Sequence, residues 1–113
     1  MSYLFTPISS SGSGGGVRNV AVDLTNLLET AEIVSSVAVT SSNTAILTIS
    51  LAGVNGAIVD LDGVQVAANM GCTFTITTVA VTTATMLLRV EFVGSSGTED
   101  SIEIQQPIVT YLV

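Results

Sequence analysis

The sequence has no lysine, no histidine and no tryptophan, and it holds one cysteine and two prolines. Each absence closes a class of chemistry. Without histidine there is no Ser-His-Asp or Cys-His nucleophile and no imidazole metal site. Without lysine there is no P-loop, no Schiff base and no Ser-Lys pair. Arg18 and Arg89 are the only cations against nine carboxylates, a formal net charge of −7. Two cations cannot build the basic patch that neutralises phosphates, which argues against nucleic acid as a partner. An anionic membrane surface repels the chain for the same reason. Charged residues make up 10% of the sequence, against about 25% in ordinary domains. Serine, threonine and contacts with other protein must therefore cover much of the surface.

Hydrophobic residues are 48% of the chain, yet no apolar run approaches the ~18 residues of a membrane-spanning helix. A membrane barrel would need longer strands, aromatic girdles and an export signal. The opening residues Met1-Ser2-Tyr3-Leu4-Phe5 lack the basic region and apolar stretch of such a signal. The lone Cys72 cannot close an intrachain disulfide, so no oxidising compartment is implied. It stands in the alternating stretch Cys72-Thr73-Phe74-Thr75-Ile76, which predicts a buried small hydrophobe rather than a reactive thiol.

The chain's 113 residues are one domain's worth, and its composition divides them in two. Residues 1–16 read as a flexible N-terminal arm ending in the Ser/Gly run Ser9 to Gly16. Ahead of that run stand Tyr3, Leu4, Phe5 and Ile8, including two of the five aromatics. A disordered start is the bland reading. Aromatics on a solvated tail cost solubility, so the preferred expectation is an apolar plug that docks into a neighbouring subunit, with Arg18 pinning its root.

Residues 17–113 are dominated by period two, and Val, Ile and Thr supply about a third of the chain. Val20, Val22 and Leu24 alternate with polar or small neighbours, and Thr25 to Ala31 reads as a helical turn or loop. Strands are predicted over Ile33–Thr40, Ile46–Leu51, Ala57–Leu61 and Cys72–Val79, with Asp62-Gly63 as a hairpin turn into Val64-Gln65-Val66. Met86, Leu88, Val90 and Phe92 mark the clearest strand, and Gly94-Ser95-Ser96-Gly97 turns the chain into Ser101–Gln106. Pro107 should interrupt that ladder, as an edge position or a bulge, before Ile108 to Leu112. About seven or eight short strands at this spacing give an all-β, immunoglobulin-like antiparallel sandwich with an extended N-terminal arm.

Chemistry-bearing residues are sparse. Asp60 and Asp62 flank a strand end at the spacing calcium sites use, but Ca²⁺ needs about six to eight oxygens and no third acid is near, so turn chemistry is the preferred reading. Glu99, Asp100 and Glu103 read as a solvated turn and strand edge. Ser95-Ser96 lacks the spacing and the base of a nucleophile elbow. Arg89 is expected to pair with a cross-strand carboxylate such as Glu103 or Asp100, or else to contact a partner subunit. No catalytic residue, cofactor or metal is expected.

Several short stretches, taken in order, resemble a known group. They are Asp23, Leu28 and Glu32-Ile33-Val34-Ser35-Ser36, then Gly63-Val64-Gln65-Val66, Phe74-Thr75-Ile76 and Leu88-Arg89-Val90-Glu91-Phe92, and finally Ser96-Gly97 and Ile102-Glu103-Ile104. Together they resemble the small β-sandwich virion proteins of tailed bacteriophages, especially the fibre–tail adaptor-like group. The chain departs from that group at Thr83 and Met86, where a glycine and a tyrosine would stand. The resemblance implies a non-enzymatic structural protein, assembled in the bacterial cytoplasm and resident in the virion. Its partners would be its own copies and other virion proteins such as the major capsid or tail protein.

The first expectation is a capsid cement or decoration protein, docked on the shell through its arm and its exposed strand edges. Edges are commonly guarded by lysine, and this chain has none. The second is a head–tail or fibre–tail adaptor ring. A surface adhesion or glycan-binding module is the rival from another class, weakened by the shortage of aromatics, and an enzyme is the weakest reading.

Overall fold

The structure is a computed structural model that describes residues 2–5, 8–9, 16–61, 63–80 and 82–109, with the backbone alone at Ser2, Tyr3 and Ser9. Ten strands are described: β1 (Ser2–Leu4), β2 (Ile8–Ser9), β3 (Val17–Asp23), β4 (Val34–Ser41), β5 (Leu47–Val54), β6 (Val59–Leu61), β7 (Val64–Val66), β8 (Gly71–Thr78), β9 (Ala84–Gly94) and β10 (Glu99–Val109). A single 3₁₀ turn, Thr25–Leu27, lies between β3 and β4, in the stretch expected to be a helical turn or loop.

One sheet runs β1-β10-β9-β4, with β2 also on β10; the other runs β3-β8-β5; β6 and β7 form a separate hairpin. If β1 and β2 together are strand A, β3 is B, β4 is C, β5 is D, β8 is E, β9 is F and β10 is G. The layers are then A-G-F-C and B-E-D, which is immunoglobulin-like wiring. The expected all-β sandwich is what the chain forms.

Alternation decides which face is buried. Along β9, Met86, Leu88, Val90 and Phe92 are buried while Leu87, Arg89, Glu91 and Val93 face out. Along β10, Ile102, Ile104 and Ile108 are buried. The facing sheet supplies Val20, Val22, Leu47, Phe74 and Ile76. Each such side chain contributes about 1.5–3 kcal/mol when removed from water. Cys72 is fully buried in this layer, and desolvation pushes its thiol up to about 12.

Two turns need glycine. Gly63 takes a φ of 80° in the β6–β7 hairpin, and Gly97 takes 93° in the β9–β10 turn. Both lie where the sequence signalled turns.

The fold corrects two expectations. Residues 2–4 and 8–9 are not set apart from the sandwich. They pair in parallel with β10, Tyr3 opposite Ile104 and Ile8 opposite Ile108. The Ser/Gly run therefore joins a strand of one layer to a strand of the other. Pro107 does not interrupt its ladder either, because β10 stays paired with β9 from Glu99 to Ile108. The Phe5 N–H donates to the Gln105 C=O at 2.9 Å, so alternate residues 103, 105 and 107 turn their backbone groups away from β9. The N–H that proline lacks belongs to that outer side, where no bond to β9 is lost.

Candidate functional site

The N-terminal strands were the first candidate site. Ile8 is 4% exposed and belongs to the main core. Phe5 is half-buried against the same core, whereas Leu4 is 72% exposed. Ile8 and Phe5 are thus spent inside this fold and not held out for a neighbour. The Tyr3 side chain lies outside the described residues.

Two shallow apolar cavities flank Phe5 where the layers part. One, of about 220 Å³, lies among Leu4, Phe5, Val20, Leu61 and Val64; the other, of about 250 Å³, among Phe5, Val22, Val64 and Ile104. At the foot of β3 the Gly16 C=O accepts from the Thr78 N–H at 2.9 Å. The Arg18 guanidinium reaches the Oε1 of the buried Gln106 at 3.3 Å, and the Gln106 Nε2 donates to the Pro107 C=O at 2.9 Å. The Arg18–Gln106 contact ties β3 to β10 across the layers, while the Gly16–Thr78 bond joins the foot of β3 to β8 within one sheet.

Arg89 stands directly opposite Glu103 in the β9–β10 register. The ion pair that forms among the described residues is instead with Glu91, Nε to Oε1 at 3.0 Å. Two residues apart on one strand, Arg89 and Glu91 share a face, so they meet without crossing the ladder. Both are more than half exposed, and such pairs contribute at most about 1 kcal/mol. Beside them a groove of about 570 Å³ runs over the outer face of the first sheet, past Ser36, Ala38, Glu99 and Ser101.

Two buried polar residues escaped the sequence reading. Glu32 is 1% exposed, and its carboxylate accepts from the Glu29 N–H at 2.9 Å, the Ser96 N–H at 2.8 Å, the Thr98 N–H at 3.3 Å and the Thr98 hydroxyl at 2.7 Å. The hydrogen bond from Glu29, followed by that from the Thr98 hydroxyl, holds its pKa below the usual value. A Cβ on Gly94 would collide with this carboxylate. Asn55 donates from Nδ2 to the carbonyls of Ala57 at 3.2 Å, Val66 at 3.4 Å and Ala67 at 2.7 Å, and its Oδ1 accepts from the Gly71 N–H at 2.9 Å. Both side chains act as loop clamps at one end of the sandwich. With its acceptors engaged, Glu32 is not placed for acid–base work. An Asn-Gly pair after a strand signals a turn, but nothing local to Glu32 announces a turn held 64 residues away.

Asp60 is exposed on β6 opposite Gln65, while Asp62 lies outside the described residues. Among the described residues no three His, Cys, Asp or Glu side chains converge as metal ligands, and no helix is long and apolar enough to cross a membrane. What the arrangement offers is surface: a rigid sandwich with few charges and several large apolar side chains in solvent, among them Leu51 at 83% exposure and Ile58. Against protein families, curated proteins and solved structures, the chain finds no match.

Proposed function

We propose that this chain is a non-enzymatic structural protein of a bacteriophage virion, a capsid cement or decoration subunit that docks on the shell and joins neighbouring capsomers. One observation carries the reading: a small sandwich that leaves Leu4, Val17, Leu51, Ile58 and Val79 exposed has strand edges carrying no lysine. Such surfaces are a liability for a free monomer and useful in a protein lattice. The resemblance of its short motifs to small virion sandwiches supports the same class. Because Ile8 and Phe5 are engaged internally, docking falls to the exposed apolar residues and open strand edges.

The alternative is an adaptor ring at the head–tail junction or fibre base, which the motif resemblance favours. Copy number separates the two. Quantitative mass spectrometry of purified particles should find the chain in simple ratio to the major shell protein. Around a dozen copies per particle would replace cement with the ring, and absence from the particle would refute both.

A further inference from the structure

We propose that the outer edge of β4 is a self-association surface, taken by β4 of a second copy in antiparallel register. This deepens the role proposed above by naming the contact between copies.

An open strand edge templates another strand unless something blocks it. Three of the sandwich's flanking edges are managed. β10 is covered by β1 and β2, which are themselves only three and two residues long. The β6–β7 hairpin packs against β3. β5 is broken by a bulge between Ser50 and Gly53, where Leu51 takes a left-handed φ of 55°, a conformation that side-chain-bearing residues rarely adopt. β4 carries a register shift only at its start, between Val34 and Ser36, and touches β5 of the facing sheet without pairing with it. It runs in unbroken register with β9 from Ser36 to Ser41, and among the described residues nothing pairs on its other side.

Backbone polarity makes that side a template. The Ser42 N–H donates to the Leu87 C=O at 2.9 Å. Bonding alternates along an antiparallel ladder, so Ser36, Ala38 and Thr40 bond to β9 while Val37, Val39 and Ser41 turn N–H and C=O outward. The core is also open along this flank. Val37 and Val39 pack against it yet are only half-buried, as are Ile46, Ile49 and Val54 at the neighbouring β5. A strand laid beside β4 would complete their cover.

Charge selects the occupant. From Ile33 to Val59 no residue is charged, in a chain of net charge −7. The opposite flank carries Arg18, Asp23, Asp60 and Glu103. Two copies repel one another overall, and the neutral β4–β5 flank is where they approach at least cost. An identical strand is self-complementary about a twofold axis. With that axis at Val39, Val37 of each copy faces Ser41 of the other, and every outward N–H meets a carbonyl.

The test is cysteine capture with sedimentation equilibrium. Paired residues in such a ladder sit about 5.5 Å apart at Cα, within the ~4.4–6.8 Å a disulfide spans. Val39→Cys should oxidise to a covalent dimer at least tenfold faster than Leu51→Cys, while buried Cys72 stays inert. The unmodified chain should sediment as a dimer. Val39→Lys, which sets two ammonium groups against each other across the axis, should sediment as a monomer with an unchanged far-UV spectrum. If Val39→Lys does not fold, Ser41→Pro decides, because it removes one outward N–H and should weaken the dimer at least tenfold. A wild-type monomer up to about 1 mM, a dimer that survives these substitutions, or equal oxidation at both cysteines would overturn the inference. A β4-linked dimer in a chain absent from particles would keep this surface and sink the virion role; a monomer abundant in particles would do the reverse.

Discussion

Truncating Ile8 to alanine separates a free arm from an integral strand. Ile8 is 4% exposed, sits in the main core and pairs with Ile108 through β2. Removing such a side chain costs about 2–5 kcal/mol, the spread reflecting how far the cavity collapses. For a domain of this length each kcal/mol lowers the melting temperature by about 4 °C, so Ile8→Ala should melt roughly 8–20 °C below the parent chain. Ile8→Val should cost about 0.5–1.5 kcal/mol. Leu4→Ala is the internal control, since Leu4 lies four residues earlier and is 72% exposed; its stability should stay within about 0.5 kcal/mol of the parent. Urea and thermal unfolding followed by far-UV circular dichroism give all three values. Equal melting of Ile8→Ala and Leu4→Ala would refute the reasoning and restore a detached arm.

Three further predictions concern buried groups. Glu32 has a lowered pKa in the fold, so its stabilisation is present above the ordinary carboxylate range near pH 4.5 and fades as pH falls through the lower folded value. Glu32→Gln should therefore melt below the parent at pH 7, and the gap should close as the pH falls through the lowered folded value. Gly94→Ala should destabilise the parent but cost much less in a Glu32→Ala background, because its Cβ collides with the Glu32 carboxylate; purely additive effects would refute that contact. Cys72, pushed up to about 12 by burial, should resist iodoacetamide at pH 8 in the folded chain and react once urea unfolds it, as mass spectrometry would record. Rapid alkylation of the native chain would contradict its placement.

Much of the sandwich was legible because it is local. Period two marked β8, β9 and β10, Asp62-Gly63 and Gly94–Gly97 marked turns that close neighbouring strands, and Cys72 was readable from its alternating neighbours. β1 and β2 were not legible. They are too short to show a period, and their parallel partner lies about a hundred residues away in β10. The Ser/Gly run after them then reads as the end of an arm, although it joins the two layers. Arg89 was misassigned because the register does set Glu103 opposite it, while Glu91 on the same face lies within reach of the guanidinium. Glu32 carried no pattern, since its meaning comes from amides of a distant turn. The neutral stretch from Ile33 to Val59 stands in plain view in the sequence. It gains significance once the topology places β4 and β5 on one flank.

Amide hydrogen exchange tests the docking account most directly. In dilute free chain the outward N–H groups of Val37, Val39 and Ser41 should exchange quickly, while alternate Ala38 and Thr40, bonded to β9, exchange slowly. In chain recovered on assembled particles the three outward amides should become protected together. Fast exchange at Val37, Val39 and Ser41 in the particle-bound chain would contradict the claim that this edge joins the assembly.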